Sequence, residues 1–429
     1  MNILDIIEKK KNGQKLSKTE IDFFVDGVCK GYIKDYQTTS LRMAICLNDI
    51  DFDETYHLTM AMVNSGEIVD LTDVGECVDK HSTGGVSDTT TLCIVPILAS
   101  LGVKVAKMSG RSLGFTGGTA DKLEVFKGYK TEIPIAKFKK LIQDNGASMV
   151  SPTQNLALAD KIIYKLRSES GTVENIGLIA SSIMSKKIAC GAKILLIDCK
   201  YGNGAFMKTV EDAKKLAKTM VEIGKRAGIK VCAVITNMNQ PLSNYIGNNL
   251  EVYSSIEVLD GVDNDLSKLS TFLASKILVI CGKAKNIVQA KNMVNDAIKS
   301  KLALNKLKQL VLAQDGSIDC IDNPIILLEH KNSFEIKAQK NGYLSMINTE
   351  LLGDLSHKLQ FVGNEYKRQD DVGFILNKRI GDAIKTDESL LTCHYNQIDN
   401  LDEFIKLLNS CFEITDKRID AKLVEGIIE

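Results

Sequence analysis

The spacing of apolar positions divides the chain into three kinds of stretch. Over the first 65 residues it is helical. Ile21, Phe24, Val25 and Val28 recur at helical spacing in IDFFVDGVCK, and Ser17 followed by Glu20 is a capping-box pattern that opens it. Thr38 to Ser40 precede a second helical run, SLRMAICLN. Asp53 opens a third, DETYHLTMAMVNSGE, which stops at Ser65-Gly66. From about residue 70, Val- and Ile-rich runs (LCIVPILASLGVKVAKM, AKILLIDC, VCAVITNM) alternate with polar helical stretches such as EDAKKLAKTMVEIGKRAG. That alternation predicts βαβ units around a parallel sheet. Residues 157–187 read as helical again and would pack on the N-terminal helices. Beyond residue 330, FEIKAQKNGYLSMI, VGFILNKRIGDAI and SLLTCHYN read as strands with Gly turns, and DEFIKLLNSCF as a late helix.

The expected fold class is α/β: a small all-α domain, a large α/β domain with a mixed, mainly parallel sheet, and a C-terminal α+β portion. The helical domain takes residues 1–66 and 157–188, the α/β domain 70–153 and 191–330, and the C-terminal unit 331–429.

Charge and cysteine usage narrow the class of partner. Among 429 residues, Lys plus Arg and Asp plus Glu both total 54, so nucleic acid and membrane surfaces lose their usual electrostatic pull. The longest apolar stretch, Leu92 to Ala99, is far short of the roughly 20 residues of a bilayer span and contains Pro96. The N-terminal segment has acids inside its apolar part and basic residues after it, the reverse of a secretory signal. A cytoplasmic protein with no nucleic-acid or membrane partner is expected. The eleven cysteines are odd in number and without CxxC spacing, so neither a disulfide framework nor a zinc site is suggested. Cys46, Cys93, Cys232 and Cys281 sit in apolar runs and read as small core hydrophobes.

The densest chemical signal is VDKHSTGGVSDTTT, residues 78–91. The pair Gly84-Gly85 lets the backbone turn and present N–H groups to an anion, while Lys80 adds a full charge, Ser82 and Thr91 add hydroxyls, and His81 sits within the loop. A capped turn between two elements would share the STGG core alone. No GK[ST] follows, so this is not a Walker loop. A second cluster, KMSGRSLGFTGGTADKLE, again joins Lys107, Ser109 and Thr119 with a Gly-Gly pair. Two such loops can meet at the C-terminal edge of one parallel sheet, where α/β folds bind ligands. Asp121 and Glu124 read as helix-start carboxylates. A third group is Arg167, Ser182 and Lys186, the last two four residues apart on one helix face. On residues alone, that group reads first as a solvated helix face and only second as donors for the carbonyls of a planar heterocycle. His57, His330, His357 and His394 lie in unremarkable contexts.

These segments resemble a known family. SGRSLGFTGGTADKLE is similar to the signature of the thymidine and pyrimidine-nucleoside phosphorylases, VDKHSTGGVSD to their phosphate loop, and ADKIIYKLRSESGTVENIGLIASSIMSKK to their base-contacting helices. The likeness continues through HLTMAMVNSGE, GAFMK and NQPLSNYIGNNLEV, and Lys107 before Met108-Ser109 looks more like the bacterial pyrimidine-nucleoside enzymes. The resemblance implies phosphate binding by Lys80, Ser82, Thr91, Lys107, Ser109 and Thr119. It implies base binding by Arg167, Ser182 and Lys186, with His81 near the base O2. His81, Arg167 and Lys186 would be the catalytic groups. It also implies phosphate and a pyrimidine nucleoside as substrates, no organic cofactor, a cleft that closes between domains, and a homodimer through the helical domain.

Several positions depart from the family pattern. Phe115 stands where a His is usual, Ser112 where Gly is, Ser151-Pro152 replace Gly-Gln, Ser168 replaces Asp, and Tyr201 and Asn203 alter the approach to GAFMK. Phe115 and Pro152 are therefore candidate specificity positions beside the base or sugar. Part of the family binds potassium, at positions that correspond to Ser87, Thr89, Leu242, Tyr245 and Ser254. Ser254 replaces a carboxylate, which argues against the ion here. Two rivals share the architecture: a phosphoribosyltransferase like the anthranilate enzyme, against which Lys80-His81 ahead of the glycines speaks, and a non-catalytic nucleoside-binding relative.

Overall fold

The computed structural model describes residues 1–112, 114–361 and 368–429. Its helical unit begins with α1 (Ile3–Lys11), α2 (Lys18–Lys30), α3 (Asp35–Asn48) and α4 (Phe52–Val63). Ser17 caps α2 through the expected box with Glu20. Two starts differ from the sequence reading. Helix α3 begins ahead of Thr38, with Gln37 reaching back to the Lys34 N–H, so Thr38 to Ser40 lie inside it. The hydroxyls of Thr39 and Ser40 are satisfied within the helix by the Tyr36 carbonyl. Helix α4 is capped by Asp51 in a box with Glu54, not opened by Asp53.

The α/β unit follows as β1 (Val78–Ser82), α5 (Thr90–Ser100), β2 (Val105–Met108), α6 (Thr119–Leu123), α7 (Ile135–Asn145) and β3 (Ala147–Val150). The chain then returns to the helical unit as α8 (Leu158–Glu169), which packs on α2, and α9 (Ile176–Ala189), which packs on α4 and also on a helix of the α/β unit. Leu92 to Leu98, read as part of a strand-like run, is the core of α5. That helix is apolar all round because every side is buried, and such a run has no period to separate helix from strand.

The sheet resumes with β4 (Ile194–Tyr201), α10 (Val210–Arg226), β5 (Lys230–Asn237) and the short β6 (Tyr245–Ile246). Helices α11 (Asn248–Asp260), α12 (Asp265–Ile280), α13 (Ile287–Lys299), α14 (Leu302–Ala313) and α15 (Asp319–Asp322) then cover its flank. The C-terminal region holds β7 (Asn332–Lys337), β8 (Gly342–Ile347), α16 (Thr349–Gln360), β9 (Gly373–Leu376), β10 (Ala383–Ile384), β11 (Ser389–Tyr395), α17 (Leu401–Asn409), β12 (Phe412–Thr415) and β13 (Val424–Ile428).

The main sheet has the order β13-β5-β4-β1-β2-β3, parallel except for β13, which runs antiparallel to β5. Two smaller sheets, β10-β8-β12 and β6-β9-β11-β7, form the C-terminal region. They are woven into the larger unit: β6 comes from the α/β part, and β13 goes back to it. Between the helical and α/β units the chain crosses three times, near residues 64–69, 151–157 and 189–191. These crossings are stitched together by Glu67 N–H to the Asn155 carbonyl and Val69 N–H to the Ala189 carbonyl, both 2.8 Å. Gly66 is required there, because a Cβ would collide with the Asn155 carbonyl. Among the described residues no helix is long and apolar enough to cross a membrane.

Candidate active site

The C-terminal ends of β1 and β2 open into a cavity of about 600 Å³ that is walled on the opposite side by α8 and α9. Ser82, Thr91, Lys107, Ser109 and Thr119 line it from the sheet side. Arg167, Ser182 and Lys186 line it from the helices, and His81 lies between. Pro152 is also at the wall. Two of the sequence candidates stand back from it. Lys80 is buried beneath the floor, where its ammonium donates to Thr90 Oγ1 at 2.5 Å and lies 3.6 Å from Asp198 and 3.9 Å from Asp88. Phe115 packs against Phe206, ring centroids 5.4 Å apart, with the Lys208 ammonium 5.5 Å from its own centroid; it is Phe206 that lines the cavity. The side chain of Ser168 lies outside the described residues.

The floor is built from ion pairs. Asp79 holds Lys187 at 2.8 Å and stands 3.7 Å from Lys107, whose ammonium also donates to the Lys80 carbonyl. A second cluster joins Lys80, Asp88, Asp198 and Lys200, with Lys200 to Asp198 at 2.8 Å and Thr236 donating to Asp198. Four ammoniums thus face three carboxylates, a surplus of one positive charge under the anion loop. Burial and then the Lys187 charge push Lys107 down to about 7, against the opposing pull of Asp79. His81 is held well below the usual histidine range, first by burial and then by Lys187, Lys107, Lys80 and Lys186. It is a neutral imidazole in the empty site. Asp88 resists burial and stays ionised through Lys200 and Lys80.

On the helix side, the Arg167 guanidinium carbon lies over the Tyr164 ring, 3.6 Å from its centroid, and the Lys186 ammonium is 5.0 Å from the centroid of the same ring. Behind them Arg42 of α3 is tied to Thr172. The sequence reading did not pick out Asp79, Asp88, Asp160, Tyr164, Lys187, Asp198, Lys200 or Phe206. A helical stripe in DKIIYKLR, Asp160–Tyr164–Arg167, was the available signal for Asp160 and Tyr164.

The potassium candidates do cluster, but their oxygens are neutral and partly spent. Ser87 Oγ donates to the Tyr245 carbonyl at 2.6 Å, and Ser254 Oγ is bonded to Ser243 Oγ. Of these hydroxyls, that of Thr89 is buried without a partner. The nearby carboxylate Glu251 is paired with the buried Lys122 ammonium at 2.6 Å, which also donates to the Asp88 carbonyl. Among the described residues the set therefore offers a cation neutral oxygens and no unpaired carboxylate.

Comparison with known proteins now decides the class. A family model for the helical bundle domain of a glycosyl transferase family matches residues 4–66, and that for its a/b domain matches residues 74–304. A pyrimidine-nucleoside phosphorylase of Staphylococcus aureus (strain N315) is 47% identical over 434 residues, covering the whole of both chains. One from Staphylococcus haemolyticus (strain JCSC1435) is 46% identical over 433 residues, again end to end. The chain belongs to the pyrimidine-nucleoside phosphorylase family. It is a pentosyltransferase by that membership. The crystal structure of anthranilate phosphoribosyltransferase from Thermus thermophilus superposes with a TM-score of 0.60 at 16% identity, covering 72% of this chain and 99% of that one. That likeness extends to the fold alone.

Proposed function

We propose that the protein catalyses the reversible phosphorolysis of pyrimidine nucleosides to free base and ribose- or deoxyribose-1-phosphate, in nucleoside salvage in the cytoplasm. The observation that carries this reading is the single cavity shared by Lys107, Ser109, Thr119, Ser82 and Thr91 on one wall and Arg167, Ser182 and Lys186 on the other. Orthophosphate sits over the positive floor, and the pyrimidine sits against the guanidinium and ammonium. The sugar C1′ lies between them.

Phosphate oxygen attacks C1′ as the bond to N1 breaks, through a transition state with oxocarbenium character. Lys107 and the hydroxyls orient the nucleophile without cancelling its charge. The electron pair of the broken bond goes to the base, where negative charge spreads over N1, O2 and O4. Arg167 and Lys186 bind that charge more strongly in the transition state than in the nucleoside, which is what lowers the barrier. His81, neutral when the site is empty, enters as a hydrogen-bond donor to O2. A bound phosphate dianion reverses its surroundings and raises its proton affinity, so it takes up a proton more readily to pass on to the base once phosphate is present.

The two carboxylates among the cavity-lining residues, Asp88 and Asp160, are both ion-paired, which disfavours a magnesium–pyrophosphate reading. A homodimer through the helical unit has support in Tyr36, Met43 and Leu47, exposed along one face of α3, and in the exposed Leu4 of α1. The test of the reaction is release of free base from uridine, deoxyuridine and thymidine with and without phosphate. Base release that needs no phosphate and yields no sugar-1-phosphate would overturn the proposal.

A further inference from the structure

Lys186 is a flexible ammonium at a cavity wall, and its side chain keeps 30% of its exposure. It is nevertheless held in one place. Asp160 Oδ2 accepts from its Nζ at 2.5 Å, and Ser182 Oγ, one turn earlier on α9, lies 2.9 Å away. Asp160 comes from α8, is buried, and lines the same cavity. Among the described residues it is the one negative charge on the base side, set among Arg167, Lys186 and the more distant Arg42. A carboxylate beside a leaving group that becomes anionic opposes the reaction by direct repulsion, so its presence needs a compensating task. Without it, two guanidiniums would drive a mobile ammonium toward solvent, and the lysine stem offers many rotamers in which it misses the base.

We propose that Asp160 is the positioning residue for Lys186: it aims the ammonium at the pyrimidine before the glycosidic bond breaks and yields it to the base as negative charge develops there. The inference rests on the phosphorolysis reading above. No proton need leave Lys186. The C1′–N1 electron pair passes to the ring, the phosphate oxygen–C1′ bond forms, and the ammonium shifts its hydrogen bond from carboxylate toward the base anion. Asp160 therefore acts only on the step in which the base leaves, and its influence should grow with the charge the base must carry.

The experiment compares the unmodified enzyme with Asp160→Asn and Asp160→Glu on uridine and on 5-fluorouridine, whose base is the better leaving group. For Asp160→Asn, kcat on uridine should fall on the order of 10²-fold, as for a misplaced catalytic group. The loss on 5-fluorouridine should be several-fold smaller, with KM for phosphate unchanged and partial recovery in Asp160→Glu. A second pair guards against a folding defect. In Lys186→Met the carboxylate is left unpaired beside the base, so the double variant Lys186→Met/Asp160→Asn should be more active than Lys186→Met alone. Equal losses on both nucleosides, or a double variant slower than the single one, would overturn the role of Asp160 while leaving the reaction intact. If the unmodified enzyme releases no base with phosphate, the reaction and this role fall together.

Discussion

The ammonium of Lys107 donates to the main-chain oxygen of Lys80 at 2.5 Å, joining two lysines on neighbouring strands whose side chains serve different clusters. Lys80 is balanced below by Asp88 and Asp198, whereas Lys107 faces the cavity with a share of Asp79 and the repulsion of Lys187. The surplus positive charge of the floor is therefore borne where an anion would land.

Anion binding should be proton-linked through Lys107. In the empty site this group loses its proton as pH rises through about 7, while a bound anion favours the charged form. Sulfate, which does not titrate in this range, should bind progressively more weakly above pH 7, by up to about tenfold per pH unit, with proton uptake on binding. Titration calorimetry in buffers of different ionisation enthalpy measures both. Lys107→Met should abolish the pH dependence along with most of the affinity.

His81 should make the unliganded protein acid-sensitive. Its native value lies well below the unfolded one of about 6.5. As pH falls below 6.5 the unfolded chain takes up a proton that the native protein refuses, so stability declines in that direction, by at most about 1.4 kcal/mol per pH unit. Urea unfolding between pH 5.5 and 7.5 should show a shallower decline for His81→Asn, and saturating phosphate should flatten it in the unmodified protein.

Removing the guanidinium over Tyr164 should separate chemistry from anion binding. Arg167→Met is expected to lower kcat/KM for nucleosides by about 10²-fold or more, the scale of a lost transition-state donor, while sulfate affinity measured by calorimetry stays within a factor of two or so.

The exposed face of α3 should carry the subunit contact. Leu47→Glu together with Tyr36→Glu is expected to shift the protein from dimer to monomer in light scattering, since a buried charge in an apolar interface is strongly disfavoured.

Much of this site was legible in the sequence because its residues travel in local motifs: Ser82 and Thr91 flank one glycine pair, Ser109 and Thr119 another. What was not legible depends on neighbours distant in the chain. Lys200 and Asp198 sit at the end of an apolar run that reads as core, and they acquire a role only because β4 lies beside β1. Asp160 is one carboxylate on a helix until α9 brings Lys186 to it. Helix α5 reads as strand because complete burial erases the polar face that gives a helix its period. Strand β13 carries no such signal: it pairs on one side only, at the edge of the main sheet, with a strand far back in the chain, and its partner is set by topology rather than by pattern.

The triple passage of the chain between its two main bodies limits how they can move. Beyond the seam made by Glu67–Asn155 and Val69–Ala189, Ala180 and Met184 of α9 share a buried cluster with β4 and α10, and Lys187 of α9 is paired with Asp79 of β1, so the bodies are clamped on more than one line. Arg167 and Lys186 belong to one body and Lys107 and Ser109 to the other, so this packing sets how far the nucleophile stands from the carbon it must reach. A bulkier residue at Gly66 would wedge the packing apart without touching either substrate.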